Sequence, residues 1–238
     1  MNVAVPEMTR EEIADFADIG VRAFTTTRAA RTYGLSGADP VGEVNARWHA
    51  LQDDLSAQAR RLVIGRQVHS SRVLTHQGGW EGLLRTGEAD GHVAIEKGIA
   101  LSVSVADCVP VFLAHPSGAV GVLHSGWRGT ASRILDGGLN AFARHSLAAT
   151  EIRIHLGPAI CGRCYEVSAD VRSELTGQPA NRAGNVDLRS LIAEHAQEAG
   201  VRRITVSEMC TRCDNDRFFS HRAGDAGRQL GVIVAGIL

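Results

Sequence analysis

Three histidine and cysteine side chains follow or interrupt apolar segments next to glycine, where a rigid scaffold could hold reactive groups. His69 lies in GRQVHSSRV, Cys108 in VADCVPVFL and His124 in LHSGWRGT. The apolar segments are typical of buried strands, and strand ends hold side chains in fixed positions. Two imidazoles and one thiolate suit zinc, and three protein ligands leave a fourth position open for water or substrate. These residue types therefore indicate a candidate zinc enzyme.

The spacing of these residues does not by itself select the metal interpretation. His69 and Cys108 are 39 positions apart, Cys108 and His124 are 16 apart, and no short metal-binding motif contains them. A hydrogen-bonded core histidine at position 124 and a small buried thiol at position 108 are the structural alternatives. The same residues could form a cysteine hydrolase, with Cys108 as nucleophile and His124 or His69 as base. All three interpretations stay open on spacing alone.

Two CxxC pairs form a second pattern. Cys161 and Cys164 belong to CGRC, Cys210 and Cys213 belong to CTRC, and 45 residues separate the pairs. Paired CxxC motifs are typical of a structural zinc site, although the usual separation is about 15–20 residues. A redox pair and unpaired core thiols are the alternatives.

Composition and charge limit the partners. Lys plus Arg number 25 and Asp plus Glu number 26, giving a formal net charge of −1, so we expect no nucleic-acid partner. No segment approaches the roughly 18 apolar residues of a membrane span, and the N-terminus has no secretory pattern. An odd number of cysteines, five, without an export signal predicts reduced thiols and a cytoplasmic location. The oligomeric state is not indicated.

The elements that would position these residues mix helices and strands. The chain is 44% hydrophobic, which is enough for one core, and a single domain over residues 1–238 is expected. Helices are predicted at 9–16 (from a capping box), 40–60, 130–145 and 187–200. Strands are predicted at 20–28, 62–68, 71–76, 99–106, 109–114, 119–124, 152–156, 204–207 and 229–237. The segments 99–106, 109–114 and 119–124 are expected to be adjacent buried strands. This pattern predicts an α/β fold, a single-domain mixed-sheet sandwich.

Five patches, in order along the chain, carry a family resemblance. They are RQVHSSRV (66–73), ADCVPVFL (106–113), HSGWRG (124–129), GPAICGRCYEV (157–167) and CTRCDNDRFFSHR (210–222), the last followed by Gly227-Arg228. They resemble the Q-V-H, A-D-C-[LV]-P-[VI], H-[AS]-G-W-R-G, Y-E-V and C-T-x-C…F-F-S-[YH]-R segments of the YfiH-like family. Its members are named multicopper polyphenol oxidoreductases or laccases. By these motifs, from about residue 20 to the C-terminus, the chain is identified as a member.

The resemblance implies a fold, a cofactor and a reaction class. The fold would be related to the catalytic domain of cytotoxic necrotizing factor toxins. One zinc per chain would be bound by His69, Cys108 and His124, which are also the expected catalytic residues. The substrates would be purine nucleosides. The reactions would be phosphorolysis of adenosine, inosine, guanosine and methylthioadenosine, and deamination of adenosine. Some bacterial members are linked to editing of peptidoglycan precursors, which would suit the cysteine-hydrolase alternative.

The remaining expectations concern phosphate, copper and the CxxC pairs. Arg28 and Arg222 are candidate phosphate-binding residues, because a guanidinium can bind phosphate through two hydrogen bonds. Copper-dependent oxidation of phenols would need several copper sites, whereas the motifs supply one site with three ligands. The family's C-T-x-C pair belongs to a structural C-terminal motif, which argues against a four-thiolate site. After Arg28 the chain lacks the family's Gly-rich loop and S-L-N-L-G segment, so the preferred nucleoside is not implied.

Overall fold

The computed structural model describes residues 8–34 and 39–236, which form strands, five α-helices and short 3₁₀ segments. The strands are β1 (Arg10–Ile13), β2 (Val21–Thr26), β3 (Arg61–Arg66), β4 (Val73–His76), β5 (Gly82–Glu88), β6 (Gly91–Ala94), β7 (Ile99–Val105), β8 (Val109–Ala114), β9 (Val120–Ser125), β10 (Arg153–Leu156), β11 (Glu166–Val167), β12 (Gly184–Asn185), β13 (Arg203–Val206) and β14 (Gln229–Ala235). The helices are α1 (Val41–Leu55), α2 (Trp127–Ala131), α3 (Ile134–Ala143), α4 (Ala169–Thr176) and α5 (Leu188–Glu198).

Two six-stranded mixed sheets form the centre of the structure. The first, sheet A, has the order β1-β2-β14-β7-β3-β5, and the second, sheet B, has the order β13-β10-β8-β9-β6-β4. Both contain parallel and antiparallel pairs; β3 pairs in parallel with β5 and β7, while β8 and β9 are antiparallel. The predicted mixed α/β fold with sheets packed on each other is confirmed.

Alternation along the strands explains why the sheets pack together. In β7, Leu101 and Val103 face a buried cluster between the sheets, and Phe112 of β8 and Val122 of β9 reach the same cluster from sheet B. Their neighbours point the other way because successive side chains in a strand lie on opposite faces. Both faces of each central strand are therefore buried, as expected of strands with nearly continuous apolar sequences.

Helices cover the outer faces of both sheets. Trp48 and Leu51 of α1 pack on the outer face of sheet A, against residues of β14 such as Val232. On sheet B, α3 and α5 contribute Phe142 and Ile192 to a larger cluster. The N-terminus of α5 is capped as predicted, because the Asp187 carboxylate accepts hydrogen bonds from two backbone N–H groups of the first turn.

The expected helix at 9–16 is wrong. Residues Arg10–Ile13 form strand β1, which pairs antiparallel with β2, and a short 3₁₀ segment follows it. The Thr9 hydroxyl bonds to that of Thr27 rather than capping a helix. Pairing with a neighbouring strand satisfies the same backbone groups as a short helix would, and tertiary context decided between them.

The three apolar segments expected to be adjacent strands are divided between the sheets. The strands β8 and β9 are neighbours in sheet B, but β7 lies in sheet A between β14 and β3. The chain therefore crosses from one sheet to the other at residues 106–108. Local apolar patterning identifies buried strands but does not specify their partners.

Other differences are smaller. The helix expected at 130–145 is two helices, α2 and α3, separated at Arg133, whose φ of 53° is left-handed. The strands β5, β6, β11 and β12 and the helix α4 were not predicted; β6 has four residues, and β11 and β12 have two each. The end of the strand predicted to reach residue 237 lies outside the described residues. Within the described part of the chain, no helix has the length and apolar composition needed to cross a membrane.

Candidate metal centre

His69, Cys108 and His124 converge although they are distant in sequence. One potential ligand atom from each side chain lies within 4.8 Å of the other two. The two imidazole rings are 4.7 Å apart between centroids and nearly perpendicular, at 75°. His124 is buried, Cys108 is half-buried and His69 is exposed. This donor set and spacing fit a zinc ion with one side open to the exterior.

The chain's crossings between the sheets place two of these residues. His69 lies in the loop from β3 of sheet A to β4 of sheet B, and Cys108 lies in the turn from β7 of sheet A to β8 of sheet B. His124 occupies the penultimate position of β9, next to β8. The crossings put non-glycine residues in left-handed backbone, with φ of 60° at His69 and 81° at Asp107. Such conformations persist where surrounding contacts hold them.

A third crossing, from β5 to β6, supplies the group that organises the centre. The Asp90 carboxylate is fully buried and lies 2.8 Å from Nδ1 of His124. It also accepts hydrogen bonds from the backbone N–H groups of Val68, His69 and Ser70, and from the Ser70 hydroxyl. One side chain thus fixes both the His69 loop and the orientation of the His124 ring, leaving Nε2 of His124 for a metal.

Gly126 allows the start of α2 to approach the centre closely. A Cβ atom at this position would lie 2.7 Å from Sγ of Cys108 and 3.3 Å from Cδ2 of His69. A separation of 2.7 Å is shorter than real side chains tolerate, so any larger residue would displace the thiol or the helix. Packing therefore requires glycine at position 126, the first glycine of the HSGWRG patch.

The environment favours charge on the cysteine and on the buried histidine. Burial opposes ionisation of Cys108, but the positive charge of His124 and hydrogen bonds from both histidines lower the pKa of the thiol to about 6. Burial likewise opposes charge on His124, but the Cys108 thiolate and Asp90 raise its pKa to about 9. Burial of Asp90 is outweighed by hydrogen bonds from His124 and Ser70, which hold its pKa well below the usual range. A deprotonated thiol is what a metal or an electrophile requires.

Asp107 connects the centre to the C-terminal segment. Its carboxylate accepts hydrogen bonds from the Thr211 hydroxyl, at 2.6 Å, and from the backbone N–H of Arg222, at 2.7 Å. Its backbone carbonyl accepts from the N–H of Ile160, at 3.0 Å. The residue before Cys108 therefore holds together two loops that are far apart in sequence.

A cavity of about 530 Å³ opens onto the candidate metal centre. It is large enough for a nucleoside-sized ligand. Besides the three candidate ligands it is lined by aromatic residues, by arginines and by other polar residues: Trp127 and Tyr165; Arg128, Arg222 and Arg228; Gln67, Ser104, Asp107 and His221. Aromatic faces and guanidinium groups next to a metal centre suit a flat, heteroatom-rich ligand together with an anion.

The two arginines predicted to bind phosphate have different surroundings. Arg222 lines the cavity; its guanidinium lies 4.8 Å from the centroid of the Tyr165 ring and donates to the Glu166 carbonyl. Arg28 does not line this cavity. Its guanidinium instead donates to the carbonyls of Asn215 and Phe218 and pairs with Asp225. These contacts hold the C-terminal segment next to Arg28, and its binding of phosphate stays a prediction.

Sequence reasoning missed Asp90, Arg128 and Arg228 as functional candidates. Asp90 directly precedes the short buried strand β6, where a carboxylate is costly unless it is paired. That signal could have identified it. Arg128 belongs to the HSGWRG patch and lies over the Trp127 ring at 4.3 Å, but nothing in the local pattern indicates which side chain of that patch faces the cavity.

The fold and centre define a mixed α/β protein with a candidate His₂Cys metal site beside a cavity lined by aromatic residues and arginines. The family model described as "Multi-copper polyphenol oxidoreductase laccase" matches residues 25–236. The chain therefore belongs to this family, and the predicted membership is confirmed.

Curated relatives carry the names of two nucleoside activities. The chain is 35% identical over 208 residues to a purine nucleoside phosphorylase of Streptomyces coelicolor, which covers 84% of this chain and 85% of the relative. It is 33% identical over 257 residues to the adenosine deaminase RL5 of an unknown prokaryotic organism, with 94% and 95% covered. The names of these relatives indicate that the family contains enzymes.

Solved structures support the architecture. YlmD of Geobacillus stearothermophilus superposes with a TM-score of 0.83 at 28% identity, covering 92% of this chain and 93% of that one. The hypothetical protein YfiH of Bacillus licheniformis gives a TM-score of 0.85 at 24% identity, covering 97% and 98%. Because YfiH is only 24% identical to this chain, its similarity is evidence for the fold alone.

Proposed function

We propose that this chain is a zinc-dependent purine nucleoside enzyme, acting by phosphorolysis of adenosine, inosine, guanosine or methylthioadenosine and by deamination of adenosine. The observation that carries the proposal is the convergence of His69, Cys108 and His124 within 4.8 Å of one another at the wall of a cavity of about 530 Å³. The names of two relatives, a purine nucleoside phosphorylase and an adenosine deaminase, support the reaction class.

The three candidate ligands would hold one zinc ion. When bound, zinc would supply a Lewis acid beside the cavity, able to act on a water molecule or on a heteroatom of the purine. Asp90 would keep the His124 ring in the tautomer that offers Nε2. The same carboxylate would hold the His69 loop through three backbone N–H groups.

The cations of the cavity would bind the phosphate needed for phosphorolysis. In that reaction a phosphate oxygen attacks C1′ of the nucleoside, and the bond from C1′ to the purine nitrogen breaks. Arg222 remains a candidate because it lines the cavity, and Arg128 joins it. Within the described residues, the Arg128 guanidinium forms no hydrogen bond or ion pair with a neighbour and lies over Trp127. A guanidinium in that position is available for two hydrogen bonds to an anion.

The aromatic residues would position the base. Trp127 and Tyr165 both line the cavity, and a purine gains by stacking on aromatic rings. Burial raises the pKa of Tyr165 to about 12. The phenol therefore keeps its proton at neutral pH and would donate a hydrogen bond to a ring nitrogen or a sugar hydroxyl.

The test is a nucleoside screen on zinc-loaded protein with and without phosphate, followed by chromatography. Phosphorolysis should require added phosphate and release a free base, whereas deamination of adenosine should proceed in either buffer and give inosine. If adenosine, inosine, guanosine and methylthioadenosine all remain unchanged in both buffers, the proposed function is wrong. Activation by copper rather than zinc would instead favour phenol oxidation, for which the family is named.

One observation favours a second candidate, a cysteine-type hydrolase such as an editor of peptidoglycan precursors. The lowered pKa of Cys108 and the raised pKa of His124 describe a thiolate beside an imidazolium, the arrangement that activates cysteine nucleophiles. Release of an amino acid from a muramyl peptide precursor, by protein freed of metal, would support this candidate against the zinc enzyme.

A further inference from the structure

The two CxxC pairs meet in space despite the 45 residues between them. Cys161, Cys164, Cys210 and Cys213 place their four sulfur atoms within 4.8 Å of one another. A turn closes the first pair, with the Cys164 N–H donating to the Cys161 carbonyl at 2.9 Å. A parallel bridge between Ala159 and Cys210 brings the second pair alongside.

The sulfur separations suit a single metal ion. All five cysteines of the chain are free thiols, and the Sγ atoms of Cys164 and Cys213 are 3.5 Å apart. Four thiolates around one zinc at about 2.3 Å would place neighbouring sulfurs about 3.8 Å apart, by the geometry of a tetrahedron. The Cys164–Cys213 separation of 3.5 Å lies close to this distance, and the upper limit of 4.8 Å for all pairs leaves room for it. An iron–sulfur cluster would need the sulfurs to surround several metal atoms, so one ion fits better.

The backbone around the sulfurs is arranged to stabilise thiolates. The N–H groups of Cys161 and Cys213 point to Sγ of Cys210, at 3.2 Å and 3.4 Å. Hydrogen bonds from N–H groups favour the charged form of an acceptor. The guanidinium of Arg212, in the middle of the second CxxC turn, donates to the Cys164 carbonyl at 3.2 Å. Its charge would offset part of the net charge of −2 carried by four thiolates and one Zn²⁺.

We propose that Cys161, Cys164, Cys210 and Cys213 bind a second, structural zinc ion. The site is separate from the candidate catalytic centre and does not depend on the proposed reaction. It joins the two loops that Asp107 also connects through Ile160, Thr211 and Arg222. Because Tyr165 directly follows Cys164 and lines the cavity, the bound ion would also hold one wall of the substrate pocket. The chain would then carry two zinc ions, rather than the one expected from sequence.

The test is metal analysis of the full-length protein, purified under reducing conditions and supplied with excess zinc before desalting. Wild-type protein should contain two zinc ions per chain. Cys164→Ser and Cys213→Ser should each contain one, and the matched control Cys108→Ser should also contain one, lost from the other centre. A single zinc ion in wild type that Cys213→Ser retains, or a Cys213→Ser variant that retains two, would overturn the proposal.

Cobalt substitution keeps the proposal testable if a serine variant fails to fold. Tetrahedral Co²⁺ bound by four thiolates absorbs more strongly in the charge-transfer region than Co²⁺ bound by one thiolate and two imidazoles. The strong thiolate bands should appear in the cobalt-loaded wild type and persist in Cys108→Ser. Their absence from wild type would exclude the four-thiolate site. An intact mass lower by the hydrogens of a disulfide, in reduced and metal-loaded wild type, would also overturn it in favour of a redox pair.

Discussion

The carboxylate of Asp90 lies 2.8 Å from Nδ1 of His124, and both side chains are buried. The same carboxylate caps the loop that carries His69. The residue therefore links two of the three candidate ligands without being a ligand itself.

Asp90→Asn should weaken zinc binding at the candidate catalytic centre. The amide preserves the shape of the side chain but removes the charge that orients the His124 ring, and loss of such partners typically costs 10- to 100-fold in metal affinity. Competition with a chromophoric chelator would measure the change. Asp136→Asn, at a partly exposed pair with Arg133, is the matched control and should leave zinc affinity unchanged. Equal affinities in both variants would contradict the role assigned to Asp90.

Gly126→Ala should disrupt the same centre by steric contact. The new methyl group would lie 2.7 Å from Sγ of Cys108, so the thiol or the start of α2 must move. We expect at least a tenfold loss of zinc affinity. Gly42→Ala is the control, because a Cβ there meets nothing within 4 Å and alanine favours the helix by about 0.5–1 kcal/mol. A Gly126→Ala variant with unchanged metal content and activity would show that the approach is looser than described.

Cys108→Ser separates a metal ligand from a nucleophile. If Cys108 binds zinc, the variant should lose the zinc of that centre and its nucleoside activity together. If Cys108 is instead a nucleophile, activity should fall while metal content stays at the wild-type level. Cys213→Ser should leave the zinc of the His69, Cys108 and His124 centre in place. Parallel metal analysis and activity assays on both variants check this prediction.

Arg222→Ala should weaken phosphorolysis through phosphate binding. Loss of a charge-assisted hydrogen bond costs about 1.5–3 kcal/mol, so KM for phosphate should rise about 10- to 100-fold, while deamination of adenosine changes little. The backbone N–H that Arg222 donates to Asp107 survives the substitution, so the loop should keep its place. Arg202→Ala, at an exposed position before β13, is the control. An unchanged KM for phosphate would exclude Arg222 as the phosphate-binding residue and favour Arg128 in that role.

A buried pair of histidines should make stability depend on pH. Nε2 of His76 lies 2.9 Å from Nδ1 of His92, on the adjacent strands β4 and β6. Burial lowers the pKa of His76 to about 4; burial and the charge of His76 lower that of His92 to about 3. Both values lie below the ordinary pKa of histidine, about 6.5. Below pH 6.5 the unfolded chain therefore binds more protons than the folded chain does. The free energy of unfolding falls as pH drops from 6.5 toward 4.

Urea denaturation at pH 7.5 and pH 5.5 would measure this effect. The free energy of unfolding should fall between these values in wild type, and by less in a variant that combines His76→Leu with His92→Leu. Both proteins share every other titrating group, so the difference between their losses of unfolding free energy is due to the histidine pair. Equal losses in the two proteins would mean that the two histidines can gain protons in the folded state.

Motifs in the sequence were sufficient to predict family membership and the mixed α/β fold, because short patches such as ADCVPVFL and HSGWRG survive as recognisable strings. The strands β2, β8, β9 and β14 were predicted within a few residues, since alternating or continuous apolar residues report burial directly. The strand β1 was mistaken for a helix, because a four-residue segment with a capping pattern satisfies its backbone equally well in either form. Pairing with β2, a tertiary contact, decided the outcome.

The sequence by itself determined which side chains could bind metal: His69, Cys108 and His124, with four more thiols in two CxxC pairs. Tertiary structure alone decided which of these groups meet. The crossings between sheets A and B set the distances among the first three, and a bridge between Ala159 and Cys210 brings the CxxC pairs together. The tertiary structure also places Asp90 next to His124 and Arg28 outside the cavity. The physical reason is that ligand geometry depends on contacts between segments far apart in the chain, whereas a sequence pattern reports only the preferences of neighbouring residues.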